Sequence, residues 1–280
     1  MKLLMQNIRI FVAYTLAIVL MPLIAGAAES EWQTEDMVRT RLISERIGTE
    51  GQHEILLGVQ VQMQEGWKTY WRSPGSSGLP PIFKWQGNDN IQSIAVEWPR
   101  PYSFDSFGIQ SWGYKSEVIF PLRVTLKEAG KPITASLEFS YGVCEQVCVP
   151  VQQTLSLSLP AEADVLSDHA KLLNEYRDTV PPFFTSQSHI EAVSAASTNS
   201  SELEIVIEAN SHLKQPMLIV EGEDGDYFEI SPPVIEMAGR KSIFRITADL
   251  VDRDKPLEGR EVVVTFLDKD MSLEERVLIK

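Results

Sequence analysis

Apolar and polar residues alternate with a period of two along much of the chain, which is the pattern of β-strands that bury one face. The clearest run is residues 58–63, which end a predicted strand from Glu54 to Met63. Turn-forming residues separate further apolar runs of strand length. These further predicted strands are residues 91–97, 117–126, 133–141 and 153–159. Short strands at such spacing predict a β-sandwich.

A helical spacing of apolar residues replaces the alternation in residues 161–179. The residues of the predicted apolar face are Val165, Leu166, Leu172, Leu173 and Tyr176. Pro181 and Pro182 follow, and proline cannot continue a helix because it lacks a backbone N–H. We therefore expect a helical linker over residues 161–186.

Strand-like runs resume after a polar stretch at residues 192–201. The predicted strands in this part are residues 203–209, 217–221, 227–230, 242–247, 261–267 and 276–279. All six tryptophans precede Gly113, so the two halves of the chain differ in composition. The fold is thus predicted to be all-β, with a sandwich over residues 28–160 and a second, smaller β-domain over residues 187–280.

The N-terminus has the features of a secretory signal peptide. Two cations, Lys2 and Arg9, precede an apolar run that ends at a small-residue cleavage site, Ala-Gly-Ala, at residues 25–27. We expect residues 1–27 to be removed on export to the periplasm. An uncleaved anchor is the alternative, because residues 8–28 are long enough to cross a bilayer.

Net charge, hydrophobicity and the absence of one motif exclude several classes of partner and activity. The formal net charge of −14 becomes −16 when Lys2 and Arg9 leave with the signal peptide. A strongly acidic protein is repelled by a phosphate backbone, so we expect no nucleic-acid partner. No later apolar run approaches the roughly 18 residues of a spanning helix, so we expect no membrane span in the mature chain. No G-x-S-x-G motif supports a hydrolase.

Cys144 and Cys148 are the two cysteines of the chain, and the oxidising periplasm favours a bond between them. Closing so short a loop stabilises a fold by only about 2 kcal/mol in the chain-entropy model, which makes a weak structural staple. A pair this close can open with little movement of the fold, so redox exchange is the favoured interpretation. A structural staple and a Cu(I) site formed by the two thiolates stay open as alternatives.

Several short motifs accompany the cysteines. They are Gly66-Trp67-Lys68-Thr69-Tyr70-Trp71-Arg72-Ser73-Pro74-Gly75, Trp98-Pro99, Phe107-Gly108, Gly113-Tyr114-Lys115-Ser116-Glu117-Val118 and the stretch from Cys144 to Pro150. Together they resemble the N-terminal periplasmic domain of the disulfide reductase DsbD and its relative ScsB, over roughly residues 32–159. The resemblance implies an immunoglobulin-like sandwich whose cysteine pair passes electrons from a thioredoxin-like domain to oxidised periplasmic proteins.

The same resemblance implies roles for individual residues. Cys148 would form mixed disulfides with partners, and Cys144 would resolve them. The aromatic residues that would shield the pair as a cap are Phe107, Trp112, Tyr114 and Tyr141. Ordinary cross-strand packing is the alternative for these aromatics. We expect no cofactor and no metal ion, apart from the Cu(I) alternative at Cys144 and Cys148.

The cysteine spacing is shorter than in DsbD itself, so the chain resembles the ScsB-like branch. The chain ends without the membrane-spanning segment and thioredoxin-like domain of full-length reductases, so we expect a stand-alone protein that receives electrons from a separate thioredoxin-like or membrane-embedded donor. The prediction is a periplasmic oxidoreductase of the protein-disulfide reductase type. Its alternative is a copper-binding or structural and interaction protein with a non-catalytic disulfide, in line with the family's link to copper tolerance.

Overall fold

The computed structural model describes residues 28–280 except positions 77, 88–89, 107, 186–188, 224 and 270. The predicted signal peptide at residues 1–27 and the predicted cap residue Phe107 lie outside the described residues. Strands dominate the described part of the chain, as predicted. No helix in that part has the length and apolar character needed to cross a membrane.

The strands follow one another with short connections. In chain order they are β1 (Gln33–Glu35), β2 (Val38–Ser44), β3 (Glu54–Met63), β4 (Lys68–Tyr70), β5 (Ile82–Gln86), β6 (Ile91–Val96), β7 (Tyr102–Ser106), β8 (Ile109–Lys115), β9 (Glu117–Leu126), β10 (Ile133–Cys144), β11 (Cys148–Leu159), β12 (Ile190–Ser197), β13 (Glu202–Ala209), β14 (Met217–Glu221), β15 (Tyr227–Ile230), β16 (Val234–Glu236), β17 (Lys241–Asp249), β18 (Glu261–Asp268) and β19 (Met271–Leu278). The helix α1 (Ala170–Arg177) lies between β11 and β12, and a 3-10 turn at Met237–Gly239 precedes β17.

Strands β1 to β11 form an immunoglobulin-like sandwich of two antiparallel sheets. One sheet has the order β1-β2-β3-β9-β6, and the other has the order β11-β10-β4-β8-β7, with β5 also paired to β10. Side chains from both sheets meet in one core, where the ring of Phe120 contacts those of Phe83, Trp98, Tyr114 and Phe139. The centroid distances of 5.4 to 6.2 Å lie in the range of favourable aromatic pairs.

Helix α1 covers the outer face of the first sheet. Leu173 is fully buried against Ile43, Leu56 and Ile119. The approach is closest at Gly58, where an added Cβ would lie 2.5 Å from a methyl carbon of Leu173. The centre of this sheet is therefore buried on both faces, which explains why β3 is buried at nearly every position, its polar Gln60 included.

The predicted helix is wrong over its first half. The helix begins at Ala170, and Val165 and Leu166 are 54% and 56% exposed instead of lying on a packed face. The backbone of this segment pairs with residues just after β2, because the N–H of Ser167 donates to the carbonyl oxygen of Glu45 at 2.8 Å. Backbone groups engaged in this way are not available for helical hydrogen bonds.

Four strands were predicted with their correct bounds. The predicted strands Glu54–Met63, Glu117–Leu126, Met217–Glu221 and Tyr227–Ile230 are confirmed with the same bounds. The polar stretch at residues 192–201 is a wrong prediction, because β12 occupies most of it. β12 is an edge strand with many exposed positions, so polar residues do not interrupt it. The sequence pattern also misses the strands β1, β2, β4, β5, β7, β8 and β16.

Strands β12 to β19 form the second β-domain. Its sheets have the orders β12-β13-β17-β15, with β16 also paired to β17, and β14-β18-β19. Phe244 and Phe266 are among the buried residues of its own core. Met217, Ile219 and Leu267 pack instead against the core of the sandwich. The two β-domains therefore share an apolar contact.

We expect Phe120→Ala to lower the free energy of unfolding by about 3–5 kcal/mol, because it leaves a cavity at the centre of the sandwich. Denaturant unfolding followed by tryptophan fluorescence reports on this sandwich, since every tryptophan precedes Gly113. The control Phe183→Ala replaces a side chain that is 61% exposed, and it should change the same free energy by less than about 0.5 kcal/mol. Equal losses in the two variants would contradict a central role for Phe120.

Candidate functional site

Cys144 and Cys148 form a disulfide across the end of the β10–β11 hairpin. The two residues are direct partners in the antiparallel pairing, and their Cα atoms are 4.1 Å apart. Residues 145–147 form the exposed connection, in which Val147 is 70% exposed. The bond therefore joins two positions that strand pairing already holds together.

The disulfide lies on the outer face of its sheet, away from the sandwich core. Side chains along β10 alternate, so that Tyr141 and Val143 belong to the core whereas Cys144 belongs to a separate cluster. β4 pairs with the end of β10 and places Lys68 opposite Cys144. Tyr70, two residues further along β4, shares this outer face and belongs to the same cluster as Cys144.

Tyr70 contacts both sulfur atoms. Its hydroxyl oxygen lies 3.1 Å from Sγ of Cys144 and 3.2 Å from Sγ of Cys148. A disulfide sulfur carries no proton, so the phenol is the donor. The ring of Phe104 lies 6.0 Å from that of Tyr70, and the ammonium nitrogen of Lys68 lies 5.4 Å from the centre of the Phe104 ring. The disulfide thus lies beside two aromatic rings and one ammonium group.

The two sulfurs differ in access. Cys144 is 3% exposed and lies against Tyr70 and Phe104, whereas Cys148 is only partly buried. A partner that approaches along the hairpin end therefore meets Cys148 first.

Residues 72–76 and 78–79 follow β4, and Gly78 lies over Tyr70. An added Cβ at Gly78 would lie 2.9 Å from Cδ1 of Tyr70, and one at Gly142 would lie 2.6 Å from Cβ of Leu79. The N–H of Gly142 donates to the carbonyl oxygen of Leu79 at 3.3 Å. Because glycine has no side chain at these positions, these residues can lie flat on the outer face and bury Tyr70 completely.

Three of the predicted cap residues lie in the core of the sandwich and not beside the disulfide: Trp112, Tyr114 and Tyr141. The hydroxyl of Tyr114 donates to the carbonyl oxygen of Pro99 at 2.8 Å, and that of Tyr141 forms a hydrogen bond of 2.7 Å with Thr40. Burial raises the pKa of Tyr114, and it raises the pKa of Tyr141 to about 12. Both phenols therefore keep their protons and serve packing.

The alternation of side chains along β8 explains why Trp112 and Tyr114 lie in the core and not beside the disulfide. Gly113 is the cross-strand partner of Tyr70, so the residues on either side of Gly113 point to the opposite face. The aromatic residues that do contact the cysteines are Tyr70 and Phe104, which sequence reasoning missed as site residues. The pairing of β4 with β10 and β8 is the signal that identifies them, and a single sequence does not contain it. Phe107 lies outside the described residues.

No group of three or more His, Cys, Asp or Glu side chains in the described part of the chain is arranged to hold a metal ion. The Cu(I) alternative concerns the reduced cysteines, which are bonded to each other here. Binding of Cu(I) by Cys144 and Cys148 therefore stays a prediction.

Family models match both β-domains. The model described as "Thiol:disulfide interchange protein DsbD, N-terminal" matches residues 45–160. The model described as "Domain of unknown function (DUF8393)" matches residues 179–280. Comparison with curated proteins returns no match.

Among solved structures, the N-terminal periplasmic domain of ScsB from Proteus mirabilis matches with a TM-score of 0.72 and 23% sequence identity. The match covers 90% of this chain and 98% of that one, so the likeness in fold includes the second β-domain. The C-terminal domain of the Streptococcus agalactiae AgI/II polypeptide BspA matches with a TM-score of 0.21 and 7% identity, over 83% of this chain and 95% of that one, and supports no argument. The family model and the shared sandwich agree, and residues 45–160 are therefore similar to the N-terminal domain family of DsbD.

Proposed function

We propose that this chain is a periplasmic thiol–disulfide exchange protein that passes reducing equivalents through Cys144 and Cys148 to oxidised protein clients. A disulfide within a domain similar to the DsbD N-terminal family indicates thiol–disulfide exchange as the class of chemistry. The observation that carries the proposal is the position of the disulfide, on an outer face and across a hairpin end, with Cys148 accessible. The signal-like N-terminus and a solved relative that is a periplasmic domain support the compartment.

The disulfide is poorly placed to act as a structural staple. The bond closes a loop of only three intervening residues, for which the chain-entropy model gives about 2 kcal/mol. β10 and β11 are paired along their full length, from Cys144 and Cys148 to Ile133 and Leu159, so the backbone already fixes the hairpin. Opening the bond costs the fold little, and this favours a reversible role.

Reduction of the protein begins at Cys148. A donor thiolate attacks Sγ of Cys148 and forms a mixed disulfide, while the Cys144–Cys148 bond breaks and its electron pair leaves on Cys144, which takes up a proton. The donor's second thiol loses its proton and displaces Cys148. The donor leaves as a disulfide, and the two electrons reside on Cys144 and Cys148. We propose a thioredoxin-like or membrane-embedded protein as this donor.

Reduction of a client reverses the order. The thiolate of Cys148 attacks the client disulfide and releases one client sulfur as a thiolate, which is then protonated. Cys144 then loses its proton, and its thiolate attacks Sγ of Cys148, restores the Cys144–Cys148 bond and releases the second client sulfur, which takes up a proton. The client gains two electrons, and the protein returns to its oxidised form. This net reaction is that of a protein-disulfide reductase.

Tyr70 is suited to assist both directions. Its hydroxyl lies within hydrogen-bonding distance of Cys144, the sulfur on which negative charge develops when the disulfide opens. A hydrogen bond to a charged group is worth about 1.5–3 kcal/mol. Tyr70 and Phe104 also shield the more buried sulfur, which is the role that a cap would fill.

We expect Cys144→Ser to accumulate a mixed disulfide between Cys148 and client proteins, because Ser cannot displace the client. Non-reducing gel electrophoresis of periplasmic extracts, followed by immunoblotting, measures these adducts. The matched control Cys148→Ser should form far fewer, since Cys144 is buried. Adducts that are absent from Cys144→Ser would count against exchange at Cys148.

The reduction potential of the disulfide separates an exchange pair from a staple. Structural disulfides of exported proteins lie below about −300 mV, so we expect a midpoint above that value. Equilibration of the purified protein with thiol redox buffers, followed by alkylation of free thiols, measures it. A bond that stays oxidised well below about −300 mV would favour the staple.

We expect Tyr70→Phe to slow reduction of the disulfide by a protein dithiol by roughly tenfold or more, because Cys144 then leaves without its hydrogen-bond donor. Stopped-flow or quenched-flow kinetics with a reduced thioredoxin measure the rate. Tyr141→Phe is the control, since it removes a phenol on the same sheet that contacts Thr40 and not the sulfurs. Equal rates for wild type and Tyr70→Phe would exclude Tyr70 from the chemistry.

A further inference from the structure

β11 is an edge strand that carries the accessible cysteine. It ends the sheet order β11-β10-β4-β8-β7, so in the described part of the chain it pairs with β10 alone. Cys148 begins this strand and is only partly buried, and Pro150 two residues later is exposed. Further along, the side-chain amide of Gln153 donates to the carbonyl oxygen of Gln33 in β1, so another strand approaches the edge there. The open part of the edge is therefore residues 148–152.

The register of the hairpin directs the backbone groups of Cys148 toward this open edge. In an antiparallel pair, opposed residues that do not exchange hydrogen bonds have Cα atoms about 4.5 Å apart and turn their N–H and C=O away from each other. Cys144 and Cys148 are directly opposed, with Cα atoms 4.1 Å apart. Two residues earlier on β10, the N–H of Gly142 donates to Leu79 and its carbonyl oxygen accepts from Thr69, so both groups point away from β11. No register shift separates the two positions, so the pair of cysteines is of the same kind.

Cys148 thus offers one donor and one acceptor at the edge of the sheet. Among the described residues, none forms a hydrogen bond with these two groups. Pro150, the next residue whose backbone faces the edge, has no N–H and offers its carbonyl oxygen only. Proline is tolerated in a strand where its nitrogen faces away from the ladder, and it limits how far another strand can extend along an edge. The edge is suited to a short pairing with another chain at Cys148.

The chemistry at Cys148 requires an approach from the same side. A thiolate that displaces a disulfide sulfur attacks in line with the bond that breaks, so the three sulfurs lie on one line. The bond from Cys148 to Cys144 runs from β11 toward β10. Its continuation beyond Cys148 leads away from β10, to the open edge of β11. The attacking sulfur therefore arrives where the edge N–H and C=O of Cys148 are.

We propose that a partner protein presents its reacting cysteine in an extended segment, which adds to the open edge of β11 as a short antiparallel strand. The partner cysteine lies opposite Cys148: its carbonyl oxygen accepts from the N–H of Cys148, and its N–H donates to the carbonyl oxygen of Cys148. Opposed residues that exchange both bonds have Cα atoms about 5.5 Å apart, which is within the range that a disulfide spans. The inference rests on the proposed exchange function and specifies its recognition, which is through the backbone at the partner cysteine.

The test follows the reaction of the reduced full chain with a pentapeptide, acetyl-Val-Thr-Cys-Thr-Val-amide, whose cysteine carries thionitrobenzoate as a mixed disulfide. Its β-branched residues favour the extended conformation. The thiolate of Cys148 attacks the peptide sulfur and releases thionitrobenzoate, whose absorbance gives the rate. The thiolate of Cys144 then closes the Cys144–Cys148 bond and releases the peptide thiol.

A methyl group on the amide nitrogen of the peptide cysteine removes the donor that faces Cys148. We expect this peptide to react slower by about tenfold or more than the unmodified one, because a hydrogen bond is lost and the methyl group opposes pairing. The matched control carries the methyl group on the threonine after the cysteine, whose N–H points away from β11 in the proposed pairing. It should react within about twofold of the unmodified peptide. Rates with glutathione correct for the intrinsic effect of each methyl group.

Pro150→Ala tests the edge from the side of the protein. The new N–H at position 150 faces the open edge, where it meets the carbonyl oxygen two residues before the peptide cysteine. We expect the variant to react faster with the pentapeptide by about threefold or more, because one hydrogen bond is added. The shorter peptide acetyl-Cys-Thr-Val-amide lacks that carbonyl and should react at the wild-type rate. A general loss of stability does not accelerate one peptide and spare the other.

The failures of the two proposals are separable. Equal slowing by the two methyl groups, or greater slowing by the control group, overturns strand addition and leaves the exchange function standing. Absence of adducts in Cys144→Ser, together with a midpoint in the range of structural disulfides, overturns the exchange function. The peptide comparison still reports on the edge in that case, because it starts from chemically reduced protein. If Pro150→Ala does not fold, the methylated peptides decide with wild type alone.

Discussion

Side chains of β10 alternate between a packing face and a reactive face, and fold and site both depend on this alternation. Tyr141 and Val143 enter the aromatic core, while Cys144 turns outward one residue later. β11 pairs with one edge of β10, and β4 pairs with the other near its end, so backbone hydrogen bonds hold the hairpin end. A sulfur–sulfur bond can form and break there without disturbing the core. Reversible chemistry and a stable fold are thereby compatible within one strand.

The outer face of this sheet is built for close approach of backbone. A Cβ at Gly113 would lie 2.0 Å from the carbonyl oxygen of Thr69 and 2.9 Å from Cα of Tyr70, and Gly78 and Gly142 permit close contacts with the side chains of Pro74 and Leu79. Tyr70 can therefore be fully buried on a face that would otherwise meet water. A buried phenol needs a hydrogen-bond partner, and the two sulfurs are the partners found here. The burial of Tyr70 on this face therefore also accounts for the contact of its hydroxyl with the two sulfurs.

The contact between the two β-domains combines two kinds of interaction. Ile219 and Leu267 enter the core of the sandwich, and such apolar burial supplies attraction without direction. The guanidinium of Arg72 supplies direction, because its planar donors fit the carboxylate of Glu221 in one orientation. An ion pair of this kind adds little net stability but specifies geometry.

Local sequence was sufficient for features that neighbours in the chain determine. Alternation predicted Glu54–Met63 with its bounds, and the cysteine spacing predicted a close pair. Local sequence failed where backbone distant in the chain forms hydrogen bonds, as at Val165 and Ser167, which pair with Ile47 and Glu45 just after β2. The residues around the disulfide also depend on contacts between distant parts of the chain, because Tyr70 lies 74 residues before Cys144. The register of β4 against β8 and β10 selects which aromatics face the sulfurs, and a shift of one residue would exchange the faces. Short-range pattern thus identified the cysteine pair, and long-range strand register chose the side chains around it.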